Sequence, residues 1–171
     1  VNDTWGYNKY DTNWKNPDDI LNLLLKIVGR GGNYLLNVGP MADGTVPEAC
    51  VEVMNEVGKY VTENAEAIYG TKTVGIYPYD IPGIEFTRRE NKLYVHVLSP
   101  RIRIELLNIG NQLTGAYLVR NGQKLDYGVM RTCEGDGKIE VEIPEELHNA
   151  KNYCVCLELV EKEPIFEAIK G

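Results

Sequence analysis

The stretch Gly31-Gly-Asn-Tyr-Leu-Leu-Asn-Val-Gly-Pro40 lies between two helical patterns and decides how the first part of the chain is read. Within it, Asn33-Tyr-Leu-Leu-Asn-Val38 reads as a short, largely buried strand, closed by Gly39-Pro40 and by the turn at Asp43-Gly44. On its N-terminal side, Asn16-Pro17-Asp18-Asp19 supplies an N-cap, a proline at the first helical position and an acidic first turn. These open an apolar run from Ile20 to Val28, and Gly29 to Gly32 end it. Apolar side chains cover most of this helix's circumference, so it is expected to pack between two layers. On the C-terminal side, Cys50, Val53, Met54, Val57 and Val61 recur at three- and four-residue steps while Glu48, Glu52, Glu56 and Lys59 face away. That is an amphipathic helix over 47–64. Helix, buried strand and helix form the rhythm of a layered α/β fold with parallel strands.

From Lys72 onward the period changes to two. Ile84-Glu-Phe-Thr-Arg88, a turn at Glu90-Asn91 and Leu93-Tyr-Val-His-Val-Leu98 predict a hairpin. Further strands are expected over 103–107, 115–120, 124–130, 138–143 and 153–160, with turns at Asn121-Gly122 and Asp136-Gly137. Short strands with no helix between them imply an antiparallel sandwich or small barrel. The chain thus divides into residues 1–71 and residues 72–171.

Composition narrows the possible functions. With 43% hydrophobic and 25% charged residues the chain is globular in type. Its 171 residues are too few for a closed (β/α)8 barrel, which takes about 250. A net charge of −7 opposes binding to nucleic acid or to anionic lipid. The apolar run Ile20 to Val28, interrupted by Asn22 and Lys26, is far short of the roughly 20 residues of a membrane span. The chain starts at Val1 without Met or a signal-type sequence, and reads as beginning within a longer one.

Most candidate motifs carry a structural reading. Gly29-Arg-Gly-Gly-Asn33 follows a helix and precedes a strand, the reverse of the order in phosphate-binding loops. Cys50, Cys133, Cys154 and Cys156 read as small buried thiols, and no spacing suggests a zinc site. His96 reads as a satisfied structural histidine, and His96 with His148 cannot build a metal site unaided. No nucleophile motif is present. Asp43 closes its Asp-Gly turn, Asp18 and Asp19 serve the helix start, and Asp3 and Asp11 stand as free carboxylates.

Four segments carry a more specific signal: Asn2-Asp-Thr-Trp-Gly-Tyr-Asn8, Gly31 to Pro40, Asp43-Gly-Thr-Val-Pro47 and Glu63-Asn-Ala-Glu-Ala-Ile-Tyr-Gly-Thr71. In sequence, order and spacing they resemble the C-terminal portion of the α-L-fucosidases of glycoside hydrolase family 29. Phe86-Thr-Arg and Leu93-Tyr-Val-His-Val-Leu-Ser-Pro100 are similar to that family's C-terminal sandwich. The resemblance implies an α+β fragment: the last βα portion of a (β/α)8 barrel over 1–71, then an antiparallel β-sandwich over 72–171. Residues 17–29 would be the penultimate barrel helix, 33–38 the eighth strand and 47–64 the eighth helix.

It also implies a retaining glycosidase whose Asp nucleophile and acid/base Glu lie upstream of Val1, so no catalytic residue, metal or cofactor is assigned within this chain. Retention needs two carboxyl groups about 5–5.5 Å apart, and a chain lacking both is expected to be inactive. Trp5 corresponds by the resemblance to an aromatic that packs on fucose near its methyl group; the alternative is that Trp5 and Tyr7 simply cover the barrel rim. Asn37, at a strand C-terminus, either bonds substrate or holds the Gly39-Pro40 loop. The partners implied are the missing N-terminal barrel portion and fucosylated glycans bound by the complete enzyme. An alternative is a carbohydrate-binding or docking module presenting Tyr77, Tyr79, Tyr94, Tyr117 or Tyr127 to glycan.

Overall fold

A computed structural model describes residues 1–75, 81–131 and 137–166. Tyr77, Tyr79, Cys133 and Asp136 lie outside the described residues. Helix α1 spans Pro17–Gly29 and α2 spans Glu48–Glu63, followed by a 3-10 turn at Ala65–Ala67 that the sequence pattern did not indicate. The start of α1 is set by Asn16, whose Oδ1 accepts the amide of Asp18 at 2.9 Å. Its end is a Schellman cap: Gly31 N bonds Val28 O and Gly32 N bonds Ile27 O, both at 2.9 Å. Gly31 occupies the left-handed position at φ 77°, where a side chain is unfavourable.

The segment between the helices departs from expectation. No strand forms over 33–38. Tyr34, Leu36 and Val38 do alternate inward, onto a small cluster with Val1, Ile20, Cys50, Val53 and Val57, but Leu35 is 81% exposed. A parallel strand exists only through its ladder to neighbours, and the described residues place no strand beside this segment. Its described backbone link is the amino group of Val1 donating to Asn37 O at 2.7 Å.

Seven strands follow: β1 Ile84–Arg89, β2 Lys92–Val97, β3 Arg103–Leu107, β4 Leu113–Leu118, β5 Tyr127–Arg131, β6 Gly137–Glu142 and β7 Tyr153–Leu159. They form two sheets, β1-β2-β7-β4 and β3-β6-β5, and every pairing is antiparallel. β4 ends earlier than the alternation suggested because the chain turns at Asn121-Gly122, with Gly122 N bonded to Leu118 O at 2.8 Å. β5 correspondingly starts later.

One apolar core lies between the sheets. Leu93, Val95 and Val97 of β2 and Tyr153, Val155, Leu157 and Leu159 of β7 meet Ile104 and Leu106 of β3 and Ile139 and Val141 of β6 there. The opposite side of β2 and β7 is also buried. Tyr94 and His96 pair in register with Cys156 and Cys154, and Ala67 and Tyr60 cover them from the helical layer. Leu21 and Leu25 of α1 pack with Tyr60 and reach Leu98. α1 thus packs on Tyr60 of α2 and toward the sheet, but it is not enclosed as its apolar circumference implied, since Asn22, Lys26 and Leu23, the last at 46%, are exposed.

Candidate functional site

Trp5 sits in the first loop and is 80% exposed. Two sets of contacts fix its backbone. On one side, Asp11 Oδ2 accepts Asp3 N at 3.1 Å, Thr4 N at 3.0 Å and Thr4 Oγ1 at 2.9 Å, while its Oδ1 accepts Asn13 N at 3.2 Å. Asn13 Nδ2 in turn donates to Asp3 Oδ2 at 2.7 Å. On the other side, Asn37 Nδ2 donates to the carbonyl of Trp5. Gly39 presses its backbone against the same loop so closely that a Cβ there would lie 2.6 Å from Tyr7 N and 2.7 Å from Gly6 C. Only glycine permits that approach.

Trp5 and Asn37 are therefore neighbours, joined through a backbone carbonyl. The amide of Asn37 is occupied by the Trp5 loop, a structural use different from the Gly39-Pro40 loop considered in the sequence. Asp11 is not the free carboxylate expected. Hydrogen bonds, first of all from the Thr4 hydroxyl, hold its pKa below the ordinary carboxylate value. Part of this was readable, because Asp11-Thr-Asn13 has the spacing of an Asx turn; the reach back to Thr4 was not. Asp43 Oδ1 accepts Thr45 N at 3.0 Å and Thr45 Oγ1 at 2.7 Å, which closes the turn and lowers its pKa. Asp3 accepts from Asn13 and lies 4.0 Å from Lys15 Nζ.

A second polar constellation lies beneath the helices. Tyr60 OH is 2.8 Å from His96 Nδ1, His96 Nε2 is 3.0 Å from Thr87 Oγ1, and Thr87 Oγ1 is 2.6 Å from Ala67 O. A carbonyl can only accept, so Thr87 donates to it and must accept from His96 Nε2–H. In the neutral ring Nδ1 is then the acceptor for the Tyr60 hydroxyl. Burial pushes the His96 pKa down to about 4, in agreement with that neutral form. The relay ties α2 and the 3-10 turn to β1 and β2, the structural role read from the sequence.

The described tyrosines of the candidate glycan platform, Tyr94, Tyr117 and Tyr127, are dispersed. Tyr94 is buried. Tyr117 OH donates to Glu66 Oε1 at 2.9 Å and accepts Lys92 Nζ at 2.7 Å. Tyr127 is 39% exposed, on the other sheet.

The family model described as Alpha-L-fucosidase matches residues 1–66. An α-L-fucosidase of Dictyostelium discoideum is 39% identical over 70 residues, covering 40% of this chain and 15% of that protein. Tissue α-L-fucosidase of Mus musculus is 41% identical over 71 residues, 40% of this chain and 16% of that protein. The chain therefore matches only a minor part of the length of these relatives. Among solved structures, α-L-fucosidase isoenzyme 1 from Paenibacillus thiaminolyticus superposes with a TM-score of 0.81 at 28% identity, over 94% of this chain and 38% of that one. Thermotoga maritima α-fucosidase in complex with fucose gives a TM-score of 0.70 at 25% identity, over 94% and 38%. With a loop-and-helix part matched in sequence and both sheets matched in fold, this chain corresponds to the C-terminal portion of the α-L-fucosidase family of glycosidases.

Proposed function

We propose that the chain forms the C-terminal part of a retaining α-L-fucosidase, which removes terminal α-L-fucose from glycoconjugates, and that Trp5 is its sugar-facing residue. Residues 1–71 complete the barrel and residues 72–171 form a sandwich that buttresses it. Trp5 carries this reading: a large aromatic held out to solvent by a doubly anchored loop, inside the segment matched by the family model. A deoxysugar offers an apolar methyl-bearing patch, and an indole face can cover it. Asn37 supports the indole through the Trp5 carbonyl.

The two reacting carboxylates belong to sequence preceding Val1. A general acid must keep its proton near neutral pH, so its pKa has to be raised. Asp11 and Asp43 are shifted the other way by donors that their loops require. Both are structural anions. The 171-residue chain is expected to release no 4-nitrophenol from 4-nitrophenyl α-L-fucoside. Turnover that persists after repurification, and is lost on substituting any one of Asp3, Asp11 or Asp43, would place the chemistry inside this chain and sink the proposal.

A further inference from the structure

Asp11 takes no part in the chemistry proposed above, yet its carboxylate accepts from Asp3 N, Thr4 N, Thr4 Oγ1 and Asn13 N. We propose that Asp11 is a positioning residue that presets Trp5 for the methyl-bearing face of a deoxysugar, acting through Thr4 while Asn37 holds the far side of the same residue. This rests on the reading of Trp5 as the sugar-facing group.

The residue type fits the task. An ionised carboxylate is acceptor-only, with lone pairs on both oxygens, so it can take N–H groups from the start and the end of one loop together. Here Oδ2 serves Asp3 and Thr4, and Oδ1 serves Asn13. An asparagine would keep one of those oxygens and turn an NH2 group toward the other donor. The Thr4 hydroxyl lies 2.9 Å from Asp11 Oδ2 and 3.0 Å from Gly6 O, and it accepts Asn2 Nδ2 at 3.2 Å, so the residues on both sides of Trp5 share one network. An aromatic on an unanchored loop would have to lose its conformational freedom when sugar binds. Anchoring at Thr4 and at the Trp5 carbonyl removes that loss in advance.

The test is backbone 15N relaxation on the full chain, with methyl α-L-fucoside as the sugar probe. In the wild-type chain Thr4, Trp5 and Gly6 are expected in the rigid range, with order parameters of about 0.85, and in Asp11→Ala they fall below about 0.6. Asp11→Asn lies between the two, while Trp14 and both helices stay unchanged. Thr4→Val, which deletes only the hydroxyl, loosens the same residues less and decides the matter should Asp11→Ala fail to fold. Unchanged order in the variant that folds overturns the positioning role.

The sugar arm is separate. Fucoside is expected to shift the Trp5 indole resonance and the Gly6 and Tyr7 amides, with affinity about tenfold weaker in Asp11→Ala and the amide shifts absent in Trp5→Ala. Loss of order without any fucoside response in the wild-type chain overturns the sugar reading and leaves Asp11 as the organiser of Trp5. A fucoside response with equal affinity in Asp11→Ala overturns the preset.

Discussion

The outer faces of the two sheets are built for different surroundings. On β1-β2-β7-β4, the face carrying Tyr94, His96, Cys154 and Cys156 lies under Ala67 and Tyr60, and its imidazole is kept neutral by burial and hydrogen-bonded to two hydroxyls. On β3-β6-β5 the corresponding positions hold a ladder of charges. Arg103 Nη1 lies 2.6 Å from Glu140 Oε1, and Lys138 Nζ lies 2.8 Å from Glu105 Oε1 and 3.1 Å from Glu140 Oε2. A covered face has no water to pair its polar atoms, and Tyr94 OH on this face has no hydrogen-bond partner among the described residues, whereas a wet face can leave that to water. The covered face is therefore where the helical part and the sheets depend on each other.

The contrast is most strongly tested at Tyr94. Replacing this fully buried side chain by alanine is expected to cost about 3–5 kcal/mol, the range for emptying a large aromatic site. Urea unfolding of Tyr94→Ala measures it; a loss below about 1 kcal/mol would mean that the helical layer adapts freely to the sheet.

Acid provides the next test. His96 has a folded pKa of about 4 against an ordinary 6.5, so the unfolded chain takes up the extra proton first. Its contribution is complete above pH 6.5, is lost as pH falls toward 4 and levels off below that. The loss is of order 3 kcal/mol. Comparing unfolding of wild type and His96→Gln between pH 7.5 and 4 isolates it, and equal slopes for the two chains would remove His96 as the source.

Tyr60→Phe deletes the hydroxyl given to His96 Nδ1 and leaves that nitrogen buried and unsatisfied, at a cost of about 1–3 kcal/mol. The same variant should raise the His96 pKa little, because burial dominates it. NMR titration of the ring checks the pKa, and urea unfolding of the variant checks the cost. On the wet face, Lys138→Met should change stability by less than about 1 kcal/mol and less still in high salt, since these are partly exposed pairs. A larger effect there would dissolve the distinction between the two faces.

Much of this architecture is legible in local chemistry. Asn16-Pro17-Asp18-Asp19 determines where α1 begins, and the Gly31-Gly32 pair determines how it ends. The β1–β2 hairpin is readable from alternation across Glu90-Asn91. The strand anticipated over 33–38 is not formed, because its pattern describes only which side chains turn inward and carries no information on a partner ladder. At the candidate site Trp5 and Asn37 were visible as residue types, but their link runs through a carbonyl of the main chain, to which sequence spacing is blind. Asp11 reads as a free carboxylate in the sequence for a related reason: its bonds to Asp3 and Thr4 span a loop whose shape no local propensity dictates.

The pair of thiols under the helices has a further use. Burial pushes the Cys156 pKa up to about 12 and raises that of Cys154 well above its ordinary value. Alkylation requires thiolate, so both sulfurs are inert while the layers stay together. They are expected to react when the cover of Ala67 and Tyr117 opens or the chain unfolds. Cys154 and Cys156 are thus a built-in stopwatch, on which the labelling rate reads how often the sheet beneath that cover is laid open.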